Sequence, residues 1–512
     1  MMKLYLFLFF FFFFLYLFCG DPWHILFRIK LIIKNYFSEE DSPFNIAIFR
    51  IILFFFVLTS FHEDRIIWFS QLPSDLKFPP VGMNFILSVI PITPSLVHQV
   101  MILFIAVSFL AMIGLFARTA SFLAAISGIY VLGIPQFYGK VDHYHHLIWI
   151  MLILAASRCS DVMSIDAVWK AFREADRGQQ PKNQHSIVYA MPLRFIWLLM
   201  GMIYFFPGLM KLMVSQGHWA WSDNLKYLLY ARWFELGGWL PFFRLDQHPL
   251  LYKMCASAII LFELSFIFLM FFPVLRYVAA IWGIVFHRVN GIFLQLGFQY
   301  LQICYLSFIN WAALFAQIGK WVFKEPYHVH LTGKSKSFHR LIAVLTKFDI
   351  FGQLTVSDQV MLLKKPLIDQ KMLKFTGISL LLINSVFGFK EIMSGWPFAC
   401  YPTFAERMFE ARTETVTLYG VKESKEVLID TNFFKQRMVL SKYTGMVQSI
   451  LAIQDENQRK SKLKVLVSVM KAEGINLRSY AKIRFYKTVY STEPGKANDP
   501  AISRELLEEI SV

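Results

Sequence analysis

The chain has 512 residues, 56% of them apolar and 54 of them phenylalanine, and it carries a formal net charge of +16. Soluble globular proteins hold about 45–50% apolar residues, so this composition excludes a soluble globular protein. The charge is typical of the Lys- and Arg-rich cytoplasmic loops of membrane proteins, and no aromatic–basic nucleic-acid-binding module accompanies it. We therefore expect an integral membrane protein that lies in the lipid bilayer and binds no nucleic acid.

The N-terminal stretch "MMKLYLFLFFFFFFLYLFCG" occupies residues 1–20 and holds one lysine before a run of Phe and Leu. Three interpretations fit it: a signal peptide, an additional hydrophobic segment that spans the membrane, or a start codon placed too early. Cleavage sites prefer small residues, and the bulky Phe18 stands before Cys19. We treat residues 1–20 as a signal-like or extra hydrophobic segment.

Residues 44–390 contain nine apolar segments that we predict to be transmembrane helices. They lie at 44–60, 99–115, 119–137, 144–157, 190–212, 252–272, 277–297, 299–318 and 376–390. About 20 residues cross a bilayer comfortably, and several of these segments are shorter. The predicted fold class is an all-α polytopic membrane bundle with a small C-terminal extracytoplasmic α+β module.

The loops between these segments predict an orientation. The stretches 158–194 and 319–374 are rich in Lys and Arg, whereas 61–98 has only Arg65 and Lys77 as basic residues. Basic loops accumulate on the cytoplasmic side. One arrangement satisfies all of them, with the start of the first helix in the cytoplasm and the region after residue 390 outside. We expect the protein in the inner (cytoplasmic) membrane.

Residues 391–495 differ in character from the bundle, and we treat 496–512 as a C-terminal tail. "TETVTLYGVKESKEVLID" reads as two strands around a turn, and "NFFKQRMVLSKYTGMVQSILAIQ" has apolar residues at helical spacing. In "RSYAKIRFYKTVYST" the residues Ile483, Phe485 and Thr488 are predicted to share one face of a strand. The pattern indicates a small α+β module.

A few ionisable residues interrupt the apolar runs, where a charge costs several kcal/mol. Arg50 lies within "FNIAIFRIILFFFVL", and Glu263 lies within "AIILFELSFIFLMFF". Burying the two charges together would lower the cost, so we predict an Arg50–Glu263 ion pair. Lys211 ends the run "YFFPGLMKL" and has two interpretations. It can snorkel to the headgroups on its long stem, or it can be a chemically active amine.

Metal binding is weakly indicated. His143 and His146 share a helix face at the start of the fourth segment, a spacing that suits a metal ligand pair but also a solvated helix mouth. The five cysteines are scattered without a CxxC pair, which argues against structural zinc and a disulfide scaffold. We expect no bound metal.

Five stretches, read in order, resemble a known family. They are "IAIFRIILFFFVL", "DHYHHLIWI", "MIYFFPGLMKL", "LFELSFIFLMFF" and "FHRVNGIFLQLGFQY". Their order and spacing are similar to the membrane portion of the vitamin K-dependent gamma-carboxylase family, known as the horizontally transferred transmembrane (HTTM) domain. The resemblance continues through "GWPFACYPTFAERMF" and covers roughly residues 44–490.

The resemblance implies a reaction and a set of site residues. The family's enzyme deprotonates reduced vitamin K or a similar menaquinol-type quinol. Dioxygen and carbon dioxide are co-substrates, and peptide glutamate is carboxylated as the quinol becomes an epoxide. Lys211 matches the family's base and His143 the histidine that steadies the oxygenated intermediate. His287, Asn290, Glu263 and Arg50 lie in the matching stretches as further candidate site residues.

The chemistry places a demand on Lys211. A lysine must lose its proton to act as a base, and in water the side chain is protonated at neutral pH. The surrounding Phe205, Phe206, Leu209 and Met210 would favour the neutral amine by desolvation. The resemblance thus implies a lyase-type enzyme that modifies an exported, secreted peptide.

Two other classes of function remain open from the sequence. The same fold could serve a non-catalytic membrane protein that binds lipid, a quinone or a secreted peptide partner. A transporter is a third reading, although no internal repeat or paired broken helix is visible in the sequence. The family's disulfide between bundle and outer module is not expected, because residues 61–98 contain no cysteine.

Overall fold

The computed structural model describes residues 9, 13, 25–83, 90–142, 144–178, 183–215, 217–323, 326–331, 334–356, 368–400, 404–423, 425–432, 437–438, 440–477 and 479–511. Of residues 1–20 only 9 and 13 are included, so the prediction for that segment lies outside the described residues. The described chain is mostly helical and ends in a small antiparallel sheet.

The longer helices are numbered in chain order. They are α1 (Ile25–Ser38), α2 (Pro43–Ser60), α3 (Glu63–Gln71), α4 (Pro94–Ile113), α5 (Ala117–Val131), α6 (His146–Ala156), α7 (Ile165–Asp176), α8 (Ile187–Val214), α9 (Asn224–Glu235), α10 (Pro249–Leu269), α11 (Leu275–Leu294), α12 (Gln299–Phe308, partly 3-10), α13 (Trp311–Val322), α14 (Lys336–Phe348), α15 (Ile368–Phe389), α16 (Leu440–Leu451) and α17 (Glu456–Ala472).

Seven of the described helices are long and apolar enough to cross a membrane: α2, α4, α5 with the short turn to Phe137, α8, α10, α11 and α15. They coincide with seven of the nine predicted segments. Several long apolar helices in one chain support an integral membrane protein. The starts of α2 and α4 follow a common local rule. Ser42 and Thr93 cap them, and a proline follows each cap at the first helical position.

The other two predicted segments depart from simple spans. The segment 144–157 forms only the 11-residue helix α6. The segment 299–318 is broken into α12 and α13, whose axes differ by 65°. Asn310 stands at the break, where its side-chain oxygen accepts from Ala313 N at 3.1 Å and from Asn45 Nδ2 at 3.1 Å. Asn45 on α2 also accepts from Ala312 N at 2.9 Å, so two amides stabilise the bend.

The centre of the bundle is the close packing of α8 against α10. A Cβ added to Gly201 would lie 2.7 Å from Ile267 Cβ, and one added to Gly208 would lie 2.8 Å from Glu263 Cβ. Real Cβ atoms do not approach that closely, so glycine is required at both positions on this face of α8. The close contact brings the backbone of α8 directly beside Glu263.

The predicted Arg50–Glu263 pair is wrong. Arg50 is fully buried and donates from Nη1 to Cys159 O at 2.8 Å and from Nη2 to Met163 O at 2.6 Å. These carbonyls belong to the turn between α6 and α7, where the backbone has no helical partners to donate to them. Backbone dipoles therefore satisfy this guanidinium, and it fastens α2 to the turn.

A charged cluster marks one end of the bundle. Glu39, just after α1, accepts from Arg276 Nη1 at 2.8 Å and Nη2 at 2.7 Å, and it also pairs with Arg194. Both arginine side chains lie against the ring of Trp197. The cluster joins the N-terminal ends of α8 and α11. Since both helices begin here, their C-terminal ends and Lys211 lie toward the opposite end.

That opposite end carries the C-terminal module. The described strands are β1 (Tyr327–Val329), β2 (Leu354–Val356), β3 (Arg412–Lys422), β4 (Lys425–Leu428), β5 (Lys482–Ser491) and β6 (Ser503–Ser511). β1 and β2 form a short parallel pair that precedes the module in the chain. The module's sheet has the strand order β4–β3–β5–β6, and all of its neighbouring strands are antiparallel. The predicted hairpin is confirmed as β3 and β4.

The face predicted for β5 is confirmed for Ile483 and Phe485, which are both buried. The prediction is wrong for Thr488: its hydroxyl lies 2.5 Å from that of Thr417, which pairs with Tyr486, so Thr488 is buried on the opposite face. The register of β5 with β6 shifts between Phe485 and Tyr486, where Leu507 of β6 is left without a partner on β5.

The predicted tail 496–512 is different in the structure: residues 503–511 are the fourth strand. The sequence SRELLEEIS does not alternate apolar and polar residues, and its two buried residues are Glu508 and Ile510, so it carries a weak signal for a strand.

Candidate functional site

Lys211 and Glu263 form a buried pair between α8 and α10. Lys211 Nζ lies 2.7 Å from Oε1 and 2.8 Å from Oε2 of Glu263, and the two side chains are 3% and 7% exposed. The lysine therefore points into the protein, which contradicts the snorkelling interpretation. A buried ammonium is tolerated where a carboxylate neutralises it, and Gly208 brings the two helices close enough for that contact.

The residues just after α8 hold the amine in place. The helix ends at Val214, and Ser215 donates back to Lys211 O at 2.6 Å while accepting from Trp219 N at 3.0 Å. Trp219 folds its ring back over the amine, with Nζ 5.5 Å from the ring centroid. Its indole donates to Phe404 O at 3.0 Å, which ties the ring to the module. The aromatic face adds a second favourable contact for the cation.

A cavity of about 650 Å³ lies beside the pair. Its walls are mostly apolar side chains from the bundle, and its polar lining is concentrated in a few groups. These include Lys211, Glu263, His287, Asn290, Asp142, His145, His146 and Lys442. Small-molecule sites have this combination of apolar walls and few converging polar groups, and their volumes are about 300–1,000 Å³.

His287 and Asn290 lie on α11 at the cavity wall, three residues apart and therefore on one helix face. His287 Nε2 lies 2.7 Å from the hydroxyl of Tyr204, and that hydroxyl lies 2.6 Å from the hydroxyl of Tyr305. His287 Nδ1 has no hydrogen-bond partner among the described residues. Gly283 makes room for Tyr305, because a Cβ there would lie 1.9 Å from its hydroxyl.

The histidines at the start of α6 lie on another part of the wall. His146 Nε2 contacts Tyr300 O at 2.7 Å, and the His145 ring lies 4.5 Å from the ring of Trp149. His143 lies outside the described residues, so its part in stabilising an intermediate stays a prediction. Among the described residues no three His, Cys, Asp or Glu side chains cluster as a metal site would require.

The sequence did not reveal a second amine–carboxylate pair in the same wall. Lys442 of α16 is 2% exposed and lies 3.0 Å from Asp142 Oδ2. Burial lowers the pKa of Lys442, and the Asp142 carboxylate opposes that shift. A lysine among Tyr443, Met446 and Val447 on the buried face of an amphipathic helix was the available signal, but its partner is 300 residues earlier in the chain.

The structure therefore brings together four of the predicted site residues: Lys211, Glu263, His287 and Asn290. Arg50 is not among the residues that line this cavity. An amine hydrogen-bonded to a carboxylate beside an apolar cavity can take a proton from a ligand hydroxyl, because the carboxylate stabilises the ammonium that forms. A phenol-like hydroxyl on a lipid-soluble ligand suits both the polar groups and the walls.

No family model, no curated protein and no solved structure matches this chain.

Proposed function

We propose that the protein is an integral membrane enzyme similar to the vitamin K-dependent gamma-carboxylases, which oxidises a quinol in the bundle cavity and carboxylates glutamate of an exported peptide. The observation that carries this proposal is the Lys211–Glu263 pair at the wall of a largely apolar cavity of about 650 Å³. The residues present fit a quinol, because a hydroxylated head can reach the pair while the apolar walls accept a ring and tail.

Lys211 is the base in this proposal. The neutral amine accepts the proton of a quinol hydroxyl, and the resulting ammonium is held by both oxygens of Glu263 and by the Trp219 ring. Two short contacts to one carboxylate are the geometry of an ammonium, so the pair as observed corresponds to the state after proton transfer. A proton must leave the pair before the next turnover.

A quinol bound and deprotonated here would react with dioxygen, and that reaction would supply a base strong enough to remove a γ-proton from glutamate. In sum, quinol, dioxygen, carbon dioxide and peptide glutamate give quinone epoxide, water and γ-carboxyglutamate. The chain's own side chains would bind the quinol and orient it. The hydroxyls of Tyr204 and Tyr305 and the ring of His287 form a buried polar relay that can hold a quinol oxygen near the pair.

The cavity wall supports entry of the ligand from the lipid. Leu251 on α10 and Val289 on α11 both line the cavity, and the two residues are 41% and 42% exposed. A gap between α10 and α11 that reaches the lipid-facing surface would admit an isoprenoid tail without passage through water. The peptide would arrive from the module end, where Phe404 and Lys442 line the cavity.

The orientation predicted from charge completes the proposal, with α14 in the cytoplasm and the module outside the inner membrane. We expect single cysteines at Lys336 on α14 and Lys425 on β4, in a background without the native cysteines, to differ in labelling. Both positions are exposed in the structure. An impermeant maleimide should label position 425 in intact cells and position 336 only after lysis. Equal labelling of both in intact cells would reject this orientation.

The proposed function is tested by product analysis. Membranes containing the protein are supplied with reduced vitamin K or menaquinol, carbonate and a glutamate-rich peptide, and both products are followed by mass spectrometry. We expect quinone epoxide and γ-carboxyglutamate in comparable amounts, and neither in membranes without the protein. Saturable quinone binding without epoxide would favour the non-catalytic alternative. Absence of both binding and epoxide contradicts the proposal.

A further inference from the structure

The contact between the module and the bundle is unusually close at one place. The backbone of the loop after α5 touches the first turn of α16, where a Cβ on Gly139 would lie 2.1 Å from Lys442 O. From the other side, a Cβ on Gly445 would lie 2.9 Å from Lys140 N. Two glycines that face each other across an interface allow the backbones to meet, which larger residues would prevent.

Lys442 enters the bundle loop at this contact. Its ammonium donates to Asp142 Oδ2 at 3.0 Å, to Gln136 Oε1 at 3.2 Å and to Lys140 O at 3.0 Å. Three acceptors match the three protons of an ammonium. The side chain is 2% exposed, so these contacts replace water rather than add to it. Because all three acceptors belong to the loop after α5, Lys442 holds that loop in place.

The loop held by Lys442 leads directly into the cavity wall. Gln136 Oε1 also accepts from Asp142 N at 2.7 Å, and its amide donates to the hydroxyl of Tyr144 at 2.6 Å. His145 and His146 follow at once, and all of Asp142, Tyr144, His145 and His146 line the cavity. We call residues 139–142 and 144–146 the histidine segment. Contacts with α16 of the C-terminal module hold this segment in its conformation.

We propose that Lys442 is a positioning residue: through its ion pair with Asp142, the C-terminal module holds the histidine segment against the cavity and thereby controls the geometry of the site. The inference rests on the proposed function only where activity is measured.

The test compares Lys442→Met and Gly445→Ala with Lys464→Met, which changes an exposed lysine on α17 of the same module. Lys442→Met removes the ammonium while keeping an unbranched stem, and Asp142 retains 28% exposure so that its charge stays solvated. Gly445→Ala leaves every charge in place and separates the backbones by steric contact alone. Hydrogen exchange of the full-length protein is measured in lipid nanodiscs.

We expect amide exchange of the histidine segment to be at least about tenfold faster in both Lys442→Met and Gly445→Ala, and unchanged in Lys464→Met. Exchange in α8 and α10 should stay as in the wild type, which shows that the bundle is folded. Unchanged exchange in the histidine segment of both variants overturns the proposal. This readout needs no turnover, so it remains decisive if the wild type proves to epoxidise no quinol.

Activity supplies the second readout. Displaced groups lower the rate of reaction more than the affinity, and misplacement by about 1 Å can cost up to about 100-fold. We expect Lys442→Met to lower kcat for quinol epoxidation by about 10- to 100-fold, with KM for quinol within about twofold of the wild type. A kcat equal to that of Lys464→Met, in spite of faster exchange, overturns the positioning role.

Discussion

Replacement of Lys211 by arginine is expected to lower quinol epoxidation by at least about 100-fold while the protein remains folded. General acid–base groups contribute about 100- to 10,000-fold, and arginine keeps its proton at any workable pH. The guanidinium preserves the positive charge opposite Glu263, so the charge balance of the buried pair is unchanged. Initial rates in membranes with reduced vitamin K, normalised to the amount of folded protein, measure the effect.

Lys253→Arg is the matched control. Lys253 lies on α10 within 4.0 Å of Asp223 and is 30% exposed, so it is another paired lysine near the module end of the same bundle. We expect full activity from this variant. A Lys211→Arg protein that epoxidises quinol at the wild-type rate would show that a fixed positive charge suffices at this site, and Lys211 would not be the base.

Glu263→Gln is expected to destabilise the protein strongly, because it leaves the Lys211 ammonium buried without its carboxylate. Removal of one partner from a buried ion pair costs about 3–5 kcal/mol, whereas removal of both costs much less. The double variant Lys211→Met with Glu263→Gln should therefore be more stable than Glu263→Gln alone. The midpoint of heat-induced loss of the monodisperse protein in detergent, followed by fluorescence-detected size exclusion, measures the order of stabilities.

The control for this double variant combines Arg50→Met with Glu263→Gln. Arg50 and Glu263 are the two residues that the sequence analysis predicted to form an ion pair. Arg50 donates to carbonyls of the turn after α6 and shares no partner with Glu263, so we expect the effects of these two substitutions to add. Rescue of Glu263→Gln by Arg50→Met would contradict the structure. Failure of Lys211→Met to rescue it would contradict the buried Lys211–Glu263 pair.

The sequence identified the residues of the site better than their contacts. Lys211, Glu263 and His287 were conspicuous because each interrupts an apolar run, and such residues face protein or water rather than lipid. The residues that contact them could not be predicted, because the periodicity of one apolar helix does not show which other helix packs against it. Gly201 and Gly208 allow α10 to pack closely against α8. Glycine is so frequent in membrane helices that its presence in the sequence does not predict this contact.

Other features depended on contacts between distant parts of the chain. The segment 299–318 was predicted as one helix, but Asn310 and Asn45 stabilise a bend of 65° within it. Lys442 lies in an amphipathic helix of the C-terminal module, and its burial depends on a loop of the bundle. The strand at 503–511 has a half-exposed pattern whose pairing with β5 no local signal predicts. Tertiary contacts override local preferences in all three.

The buried pair also has a consequence for the making of the protein. Lys211 is synthesised 52 residues before Glu263, so α8 enters the membrane while its amine still lacks a carboxylate. An unpaired lysine at the centre of a helix costs about 2.5–3.5 kcal/mol during insertion, although near a helix end the stem can reach the headgroups. We expect α8 to insert with its amine at the membrane–water interface and the amine to move inward only when α10 packs against α8. Nascent chains arrested before residue 263 should therefore expose Lys211 to water-soluble amine reagents, and chains extended past α10 should protect it.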